Sequence, residues 1–393
     1  MLRTLIAFLA CAAAIVLIGA PVRAFVPAAM ATPARAGAPG VGPRLQWELG
    51  AADGVDAPVA WANLRRDGRP GGRGVTVAVL DTGVAYRDWR GFRESPDLRG
   101  ARFVAPCDLV AGTIVHGRCT DPYALDRTGH GTWVASAIAG QANSRARLAG
   151  LAYGATIMPV RVLNAGGWGY PSVIAEGIRY AVEHGASVIN LSLQLSLGVD
   201  AREIGSLIAA IRYANAHRVL VVAAAGDDAA GQIAYPARAS GVLAVGATTI
   251  DRCLWDDSNT GAGLGIVAPG GGDDAPLREP QCHPRERLPD VYEMTFERPD
   301  EPARFGVTGG WCGTSMAAPL VSAAAALVIA SGVVGRRPTP AEIRARLDET
   351  ARPLGGARSN AIYGAGLLDA AAATAPTASP RAKDPRTLSR RTA

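Results

Sequence analysis

The stretch VVAAAGDD, residues 221–228, decides the fold: an apolar run stops at a glycine that two acids follow. Such continuous apolar runs are typical of strands that are covered on both faces of a parallel sheet. Four other runs share this pattern, at 75–80, 157–162, 187–193 and 242–247. We therefore predict a parallel sheet with Asp227 and Asp228 at its carboxyl edge, where ligands and chemistry usually sit.

Helical patterns alternate with these runs. Residues 173–182 place their apolar side chains on one stripe, and the next helix opens with Asp200 and Glu203 spaced as a capping box. Strand and helix in alternation imply right-handed crossovers between parallel strands. The predicted fold class is therefore α/β, a three-layer, doubly wound parallel sheet.

The composition indicates one large globular domain, because 49% of the 393 residues are hydrophobic and 47 are glycine. The formal net charge is +6, but the last thirteen residues alone hold five basic residues against one acid. The rest of the chain is nearly neutral, which disfavours a nucleic-acid partner.

The chain divides into four predicted segments. Residues 1–24 combine a basic start, an apolar stretch and small residues, which predicts a signal peptide and a secreted or periplasmic protein. An uncleaved membrane anchor is the alternative, because the stretch is near the short end of a membrane span. Residues 25–44 predict an Ala/Pro-rich linker, 45–373 the main domain and 374–393 a basic disordered tail.

Three stretches carry residues that suit catalysis. VTVAVLDTG ends a strand at Asp81, although an acid before Thr-Gly is also a common turn residue. TGHGTWVASAIAG places His130 at the mouth of a helix with small side chains. GTSMAAPLVSAAAALVIA begins a long apolar helix at Ser315, where serine also serves as an N-cap.

Together the three stretches resemble the signatures of the subtilisin-like serine proteases, peptidase family S8, in that family's order of Asp, His and Ser. VINLSL, VVAAAG, AVGAT, APG and GAGLLDA fit the same family, so the resemblance extends over about 45–373. It implies a serine endopeptidase that hydrolyses polypeptides, and we expect a monomer. The absence of G-x-S-x-G and H-E-x-x-H from the sequence disfavours an α/β-hydrolase and a zinc protease.

The resemblance also implies residue roles. Ser315 is the expected nucleophile, His130 the proton carrier and Asp81 the group that orients the imidazole. The backbone N–H at Ser315 and the side chain of Asp227 are the expected oxyanion hole. Four further residues resemble the family's edge strands, which bind substrate by strand addition: Trp168, Ser192, Leu193 and Gln194.

Asp227 departs from the family pattern, because relatives usually carry an Asn that donates a hydrogen bond to the oxyanion. An ionised carboxylate cannot donate, and loss of this donor in subtilisin costs roughly 10² to 10³ in turnover. Our leading hypothesis is that desolvation keeps Asp227 neutral, so that it donates as a carboxylic acid. The alternatives are that Asp227 turns away from the oxyanion, or that the chain is a peptide-binding module with weak or no turnover.

The five cysteines that follow the predicted signal peptide allow disulfides in an exported protein. We predict a bridge between Cys107 and Cys119, which would close a surface loop. Cys312 either pairs with Cys282 or Cys253 or remains a thiol.

We expect no cofactor to be required. Many relatives have a calcium loop after the His helix, but the corresponding stretch here is QANSRARLAG. Arg145 and Arg147 stand among the expected ligands, and their charges oppose Ca²⁺. A structural calcium ion is the alternative that this loop disfavours.

Overall fold

The computed structural model of the protein describes residues 24–25, 45–66, 68–141, 148–284, 286–299, 301–356 and 359–376. Residues 1–23 of the predicted signal peptide, residues 26–44 of the linker and residues 377–393 of the basic tail lie outside the described residues. The predicted segment boundaries therefore stay predictions.

The helices and strands are numbered here in chain order. The helices are α1 Ala57–Arg66, α2 His130–Ala139, α3 Pro171–Glu183, α4 Gly205–Ala216, α5 Thr314–Ser331, α6 Pro340–Thr350 and α7 Ala370–Thr374. The first ten strands are β1 Ala24–Phe25, β2 Thr76–Asp81, β3 Arg102–Phe103, β4 Cys107–Asp108, β5 Ile114–Val115, β6 Arg118–Cys119, β7 Thr156–Arg161, β8 Trp168–Gly169, β9 Val188–Leu191 and β10 Gln194–Leu195. The last five are β11 Leu220–Ala224, β12 Val242–Thr248, β13 Leu264–Pro269, β14 Val291–Phe296 and β15 Phe305–Trp311.

The central sheet is parallel, with strands in the order β13-β12-β11-β9-β2-β7-β3 and β4 also paired with β7. All five strands predicted from apolar runs lie in this sheet. The carboxyl ends of β2 and β11 therefore point to one edge, where Asp81 is the last residue of β2 and Asp227 lies in the loop after β11. We call this edge the rim.

Side chains alternate between two cores on the two faces of the sheet. In β2, Val77 and Val79 pack into the core formed with α1, α2 and α5, whereas Ala78 and Leu80 pack into the core formed with α3 and α4. Successive side chains of a strand point to opposite faces of the sheet, and both faces are buried here. Each strand is therefore apolar at most positions rather than at every second one. The predicted three-layer, doubly wound α/β fold is confirmed.

Helix α5 is the centre of the first core. It is apolar and long enough to cross a membrane, but 89% of its most apolar stretch is buried inside the protein. It contacts α2 and strands β9, β11, β12 and β13. A helix surrounded by protein on all sides fixes the position of its first turn, which carries Ser315.

Two features of the fold were not predicted. One is the edge strand β13, which begins within the glycine-rich stretch 261–265. The long insertion 271–309 contains an antiparallel hairpin, β14–β15, that packs against α2.

The predicted bridge between Cys107 and Cys119 is present. A second disulfide joins Cys253 to Cys282 and ties the start of the insertion to the loop after β12. The hypothesis that Cys312 pairs with either of these residues is therefore wrong, because they bond to each other.

Candidate active site

Asp81, the last residue of β2, is fully buried at the rim. Its Oδ1 lies 2.8 Å from Nδ1 of His130 and accepts the backbone N–H of Thr82 at 2.7 Å. Gly131 permits this approach, because a Cβ at that position would clash with the carbonyl oxygen of Gly83. The structure thus brings the predicted Asp and His residues into direct contact.

His130 is the first residue of α2, and a neighbouring carboxylate that the sequence analysis missed fixes this helix start. Asp126 Oδ2 accepts the N–H of Thr132 at 2.9 Å and its hydroxyl at 2.6 Å, and Asp126 Oδ1 accepts the hydroxyl of Thr82 at 2.9 Å. An acid ahead of a helix that begins with His-Gly-Thr was the available signal, since acids commonly bind free N–H groups there.

The imidazole of His130 is buried among carboxylates. Burial lowers its pKa, but the charge and hydrogen bond of Asp81, with smaller contributions from Asp126 and Asp227, hold the pKa of His130 above its ordinary value. The ring centroid of Trp311 lies 5.7 Å from that of His130 and covers it on another side. The protonated imidazole is therefore stabilised, as a proton carrier requires.

Ser315 lies in the first turn of α5, next to strand β9. Its hydroxyl donates to the carbonyl oxygen of Ser192 at 3.3 Å, and the Ser192 hydroxyl donates to the carbonyl oxygen of Ser315 at 2.7 Å. In the described residues this is the hydrogen bond of the Ser315 hydroxyl, so contact with His130 requires rotation of the side chain. Helices α2 and α5, which carry His130 and Ser315, contact each other.

A buried hydrogen-bond chain supports Ser315 from below. The hydroxyl of Ser322, two turns along α5, donates to Asn190 Oδ1 at 2.8 Å, and Asn190 Nδ2 donates to the Ser192 hydroxyl at 3.0 Å. Every side chain in this chain is almost completely buried. Sequence reasoning missed it because a polar residue within an apolar strand has no partner until the fold is known.

Asp227 lies against the residue that precedes Ser315. Its Oδ1 accepts both the N–H of Thr314, at 2.9 Å, and the Thr314 hydroxyl, at 2.5 Å. The Thr314 hydroxyl in turn accepts the N–H of Gly226 at 3.1 Å, so its own proton points to Asp227. The second oxygen, Oδ2, lies beside Gly313, where a Cβ would come within 2.9 Å of it.

Burial raises the pKa of Asp227 to about 6, although the hydrogen bonds from Thr314 lower it. The charges of Asp228 and Asp257 raise it slightly further. The carboxyl group is therefore neutral only in mildly acidic solution. This pH range is narrower than the hypothesis from the sequence implied, in which Asp227 is a neutral donor.

Gln194, expected to contact substrate, uses its side chain to support the rim. Its Oε1 accepts the N–H of Asp227 at 2.7 Å, and its Nε2 donates to Asp228 Oδ2 at 2.8 Å. Asn259 Nδ2 donates to the same Asp228 oxygen at 3.1 Å. Asp228, predicted to lie at the carboxyl edge of the sheet, is thus part of a partly buried network.

The predicted substrate-binding segments form two edges of a small sheet. Strands β8 and β10 flank the two-residue strand β1, and both pair with it antiparallel. Phe25 lies opposite Gln194 on one side and Trp168 on the other. Leu193 and Ser192 precede β10 and are fully buried, whereas Trp168 is 43% exposed.

A second group of acids lies behind the site, and we call it the acid cluster: Glu48, Asp97 and Glu293. Burial raises the pKa of Glu48 to about 8 and that of Asp97 to about 7. Burial and the charges of the other two hold the pKa of Glu293 well above its usual range. Glu293 belongs to β14, so the cluster joins the insertion to the N-terminal part of the domain.

The expectation about calcium rests on Arg145 and Arg147, which lie outside the described residues. At the end of this loop, the N–H and carbonyl oxygen of Ala149 both bond to the side chain of Gln46, at 2.9 and 3.0 Å. That carbonyl oxygen is thereby occupied by a hydrogen-bond donor. We derive no step through a metal ion.

The comparisons with known proteins agree with this geometry. The sequence model of the subtilase family matches residues 72–366. Subtilisin Savinase from Lederbergia lenta is 36% identical over 310 residues, which are 77% of this chain and 91% of that protein. An alkaline protease from Shouchella clausii is also 36% identical over 310 residues, covering 77% of this chain and 65% of that protein.

Solved structures give the same result. A protease from Pseudoalteromonas arctica superposes with a TM-score of 0.65 and 27% identity, over 86% of this chain and 99% of that one. The family match covers most of the chain, and the sheet, helices and Asp–His contact are those that the motifs predicted. The chain therefore belongs to the subtilase family and is a subtilisin-like serine protease.

Proposed function

We propose that Ser315, His130 and Asp81 form the catalytic triad of an endopeptidase that works through an acyl-enzyme. The observation that carries this proposal is the buried contact of 2.8 Å between His130 Nδ1 and Asp81 Oδ1. It leaves Nε2 as the imidazole nitrogen that faces other groups, and Ser315 lies on the neighbouring helix α5. The order of roles follows from these positions.

In the first step the Ser315 hydroxyl leaves the carbonyl of Ser192, rotates towards His130 and attacks the peptide carbonyl carbon. The hydroxyl proton passes to Nε2 of His130, while Asp81 holds the tautomer with a proton on Nδ1 and stabilises the imidazolium. The carbonyl π electrons move to oxygen and form a tetrahedral oxyanion.

The intermediate then collapses. The C–N bond breaks, the amine takes the proton from His130 and leaves, and the acyl group stays on the Ser315 oxygen. Water then attacks this ester by the same route in reverse, with His130 as base and then acid. The hydroxyl of Ser315 is restored and the acid product is released.

The oxyanion has two candidate donors. The backbone N–H of Ser315 lies in the first turn of α5, where N–H groups lack helical partners and the helix dipole favours negative charge. Asp227 is the second donor when protonated. Because Oδ1 already accepts two hydrogen bonds from Thr314, the proton belongs on Oδ2.

Polypeptide substrate binds as a strand between β8 and β10, whose backbone groups supply the hydrogen bonds. The support for this is the antiparallel pairing of β1 with both edges. Since Ser192 is buried and Gln194 supports the rim, these residues contribute backbone rather than side chains. Trp168, the exposed residue among the four, is the one that offers a side chain to substrate.

We also propose that residues 1–24 direct export and that the enzyme is a monomer without a required cofactor. The support for export is the basic start, apolar stretch and small residues of this segment. Casein digestion by the purified protein tests the catalytic proposal. We expect cleavage by the native enzyme and none by His130→Ala. If neither protein cleaves casein, the alternative function, a peptide-binding module with weak or no turnover, is favoured.

A further inference from the structure

A cavity of about 480 Å³ lies beside the segment that leads into His130. One wall comes from the loop after β2, at 89–92, and the other from 121–127. The second wall is tied to the active site, because Ala124 accepts the N–H of Val84 at 2.9 Å and Asp126 accepts the hydroxyl of Thr82. We call it the arginine pocket.

Aromatic rings line the pocket. Trp89 and Tyr123 stack with their centroids 4.5 Å apart and an interplanar angle of 7°. Phe92 faces Trp89 across a two-residue turn, in which each backbone N–H donates to the other's carbonyl oxygen. Such rings offer apolar area to the stem of a bound side chain and hold its position with little loss of entropy.

Three guanidinium groups lie over these rings. Arg87 Cζ is 5.6 Å from the centroids of both Trp89 and Tyr123, and Arg90 Cζ is 5.3 Å from that of Trp89. Arg127 Cζ is 5.2 Å from the ring of Phe92. A guanidinium that stacks by its face keeps the N–H groups at its edges free for a carboxylate.

The pocket lining carries two arginines and two acids, and the neighbouring Arg87 and Arg161 make its surroundings net positive. Asp108, one of its two lining acids, is neutralised by Arg161 at 2.6 Å. The other, Asp121, accepts the N–H of Tyr123 through Oδ1. Within the described part of the chain, Arg90 and Arg127 have no salt bridge to a carboxylate.

The turn itself favours a function for Arg90. Arg90 has φ 43° and Gly91 has φ 92°, the left-handed conformation that such two-residue turns require. Asn or Asp followed by Gly is the usual solution, and an arginine in this conformation is costly. The side chain is therefore held at the pocket against the preference of its backbone.

We propose that the arginine pocket binds an acidic side chain of the polypeptide substrate and so sets specificity at one position. The proposal rests on the proposed peptidase function. A glutamate suits the pocket best, because its two methylenes lie on the rings while its carboxylate accepts hydrogen bonds from Arg90 and Arg127.

The test uses pairs of fluorogenic peptides that are identical except for Glu or Gln at one position. The substituted position is moved in turn through four residues on each side of the scissile bond. We expect one position at which kcat/KM is roughly tenfold higher for Glu, as charge-assisted hydrogen bonds are worth. The preference should fall when salt is raised, because the pocket is open to solvent.

The variant Arg90→Gln/Arg127→Gln should reduce the Glu/Gln ratio of kcat/KM to about one, and this ratio is the readout because it cancels any change that affects both peptides equally. The matched control is Arg65→Gln/Arg66→Gln, which removes the same charge from exposed residues at the end of α1. The control should retain the preference. A Glu/Gln ratio near one at every position, or a ratio that survives in the pocket variant, overturns the proposal.

Binding separates this proposal from the catalytic one. Ser315→Ala should bind the preferred Glu peptide roughly tenfold more tightly than its Gln counterpart, as measured by fluorescence anisotropy. Equal affinities would contradict the pocket proposal even if the enzyme cleaves every peptide. Preferential binding with no cleavage by the native protein would instead support the pocket and contradict the catalytic proposal.

Discussion

The rim and the acid cluster both bury carboxyl groups, but these groups have different surroundings in the two regions. At the rim, Asp81 bonds to His130 and Asp227 bonds to Thr314. The acid cluster lies behind the site, and Glu48, Asp97 and Glu293 each retain one oxygen with no hydrogen-bond partner among the described residues, as Asp81 does at the rim. Protons on the rim are therefore available to chemistry, whereas protons in the cluster act on the stability of the fold.

The contrast follows from position rather than from residue type. Burial raises the pKa of Asp227 and of all three cluster acids. The rim carboxyls follow strand ends, where loops and helix starts supply N–H and O–H donors. The cluster lies between the N-terminal segment and the β14–β15 hairpin, where the described donors are fewer.

The largest expected effect is that of Ser315→Ala, which should change activity at the rim without changing stability. Ser315→Ala should lower kcat on a peptide substrate on the order of 10⁶-fold, the size of the loss known for subtilisin. The free energy of unfolding should barely change, because the hydroxyl makes one long hydrogen bond of 3.3 Å. A variant that keeps substantial activity would remove Ser315 from the mechanism.

Asp227→Asn tests the proton on the rim. The native carboxyl has a pKa of about 6, so it is protonated and donates below that pH and loses this ability above it. The amide donates at every pH. The ratio of kcat/KM for the variant to that of the native enzyme should be near one at pH 5 and roughly 10² at pH 8.

Asp228→Asn is the matched control, since it changes the neighbouring carboxyl and should show no such rise. A ratio for Asp227→Asn that does not depend on pH would favour the hypothesis that Asp227 takes no part in oxyanion binding.

The acid cluster predicts that the free energy of unfolding depends on pH, because its buried acids stabilise the fold only while they are protonated. The folded-state pKa of Glu48, about 8, lies above the ordinary value of 4.5. Its contribution to stability is therefore complete below pH 4.5 and is lost as the pH rises towards 8. We expect the free energy of unfolding to fall by a few kcal/mol over this range, at about 1.4 kcal/mol per pKa unit.

Denaturant titrations at pH 5 and pH 9 measure this effect. Glu48→Gln should reduce the difference between the two pH values, whereas Glu183→Gln, an exposed glutamate on α3, should not. An equal difference in native protein and Glu48→Gln would show that the cluster does not control alkaline stability.

The smallest expected effect concerns strand β1. In the unprocessed chain, a substrate that binds between β8 and β10 has to displace Ala24–Phe25 from the same edges. Phe25→Pro should raise the initial rate on a polypeptide by roughly fivefold or less, because proline is poorly tolerated in a central strand and a backbone hydrogen bond is worth about 1 kcal/mol. Phe25→Ala keeps the backbone donor and is the control. Equal rates in both variants would show that β1 does not compete with substrate.

Much of the sheet and the contact between Asp81 and His130 could be predicted, since both depend on local patterns. Apolar runs gave five strands within two residues of their ends, and Asp81 and His130 were identified from short motifs that the fold then brought together. Capping signals located the turn at Asp200, where the predicted capping box is present.

What could not be predicted depends on contacts between distant segments. The pairing of Cys253 with Cys282 and the support of Ser192 by Ser322 need the tertiary fold, because neither partner carries a local signal. The hairpin β14–β15 was missed because its alternating polar residues become buried only against α2. The hydrogen bonds of the Gln194 side chain to Asp227 and Asp228 were not predicted for the same reason, and its expected backbone contact with substrate stays a prediction.

The central claim is that Ser315, His130 and Asp81 act as one unit, and the rate of fluorophosphonate labelling measures it most directly. Mass spectrometry of the labelled native protein should find the probe on Ser315, and both His130→Ala and Asp81→Asn should slow labelling by orders of magnitude. Labelling of Ser315 at the native rate in either variant, or no labelling of the native enzyme, would contradict the account.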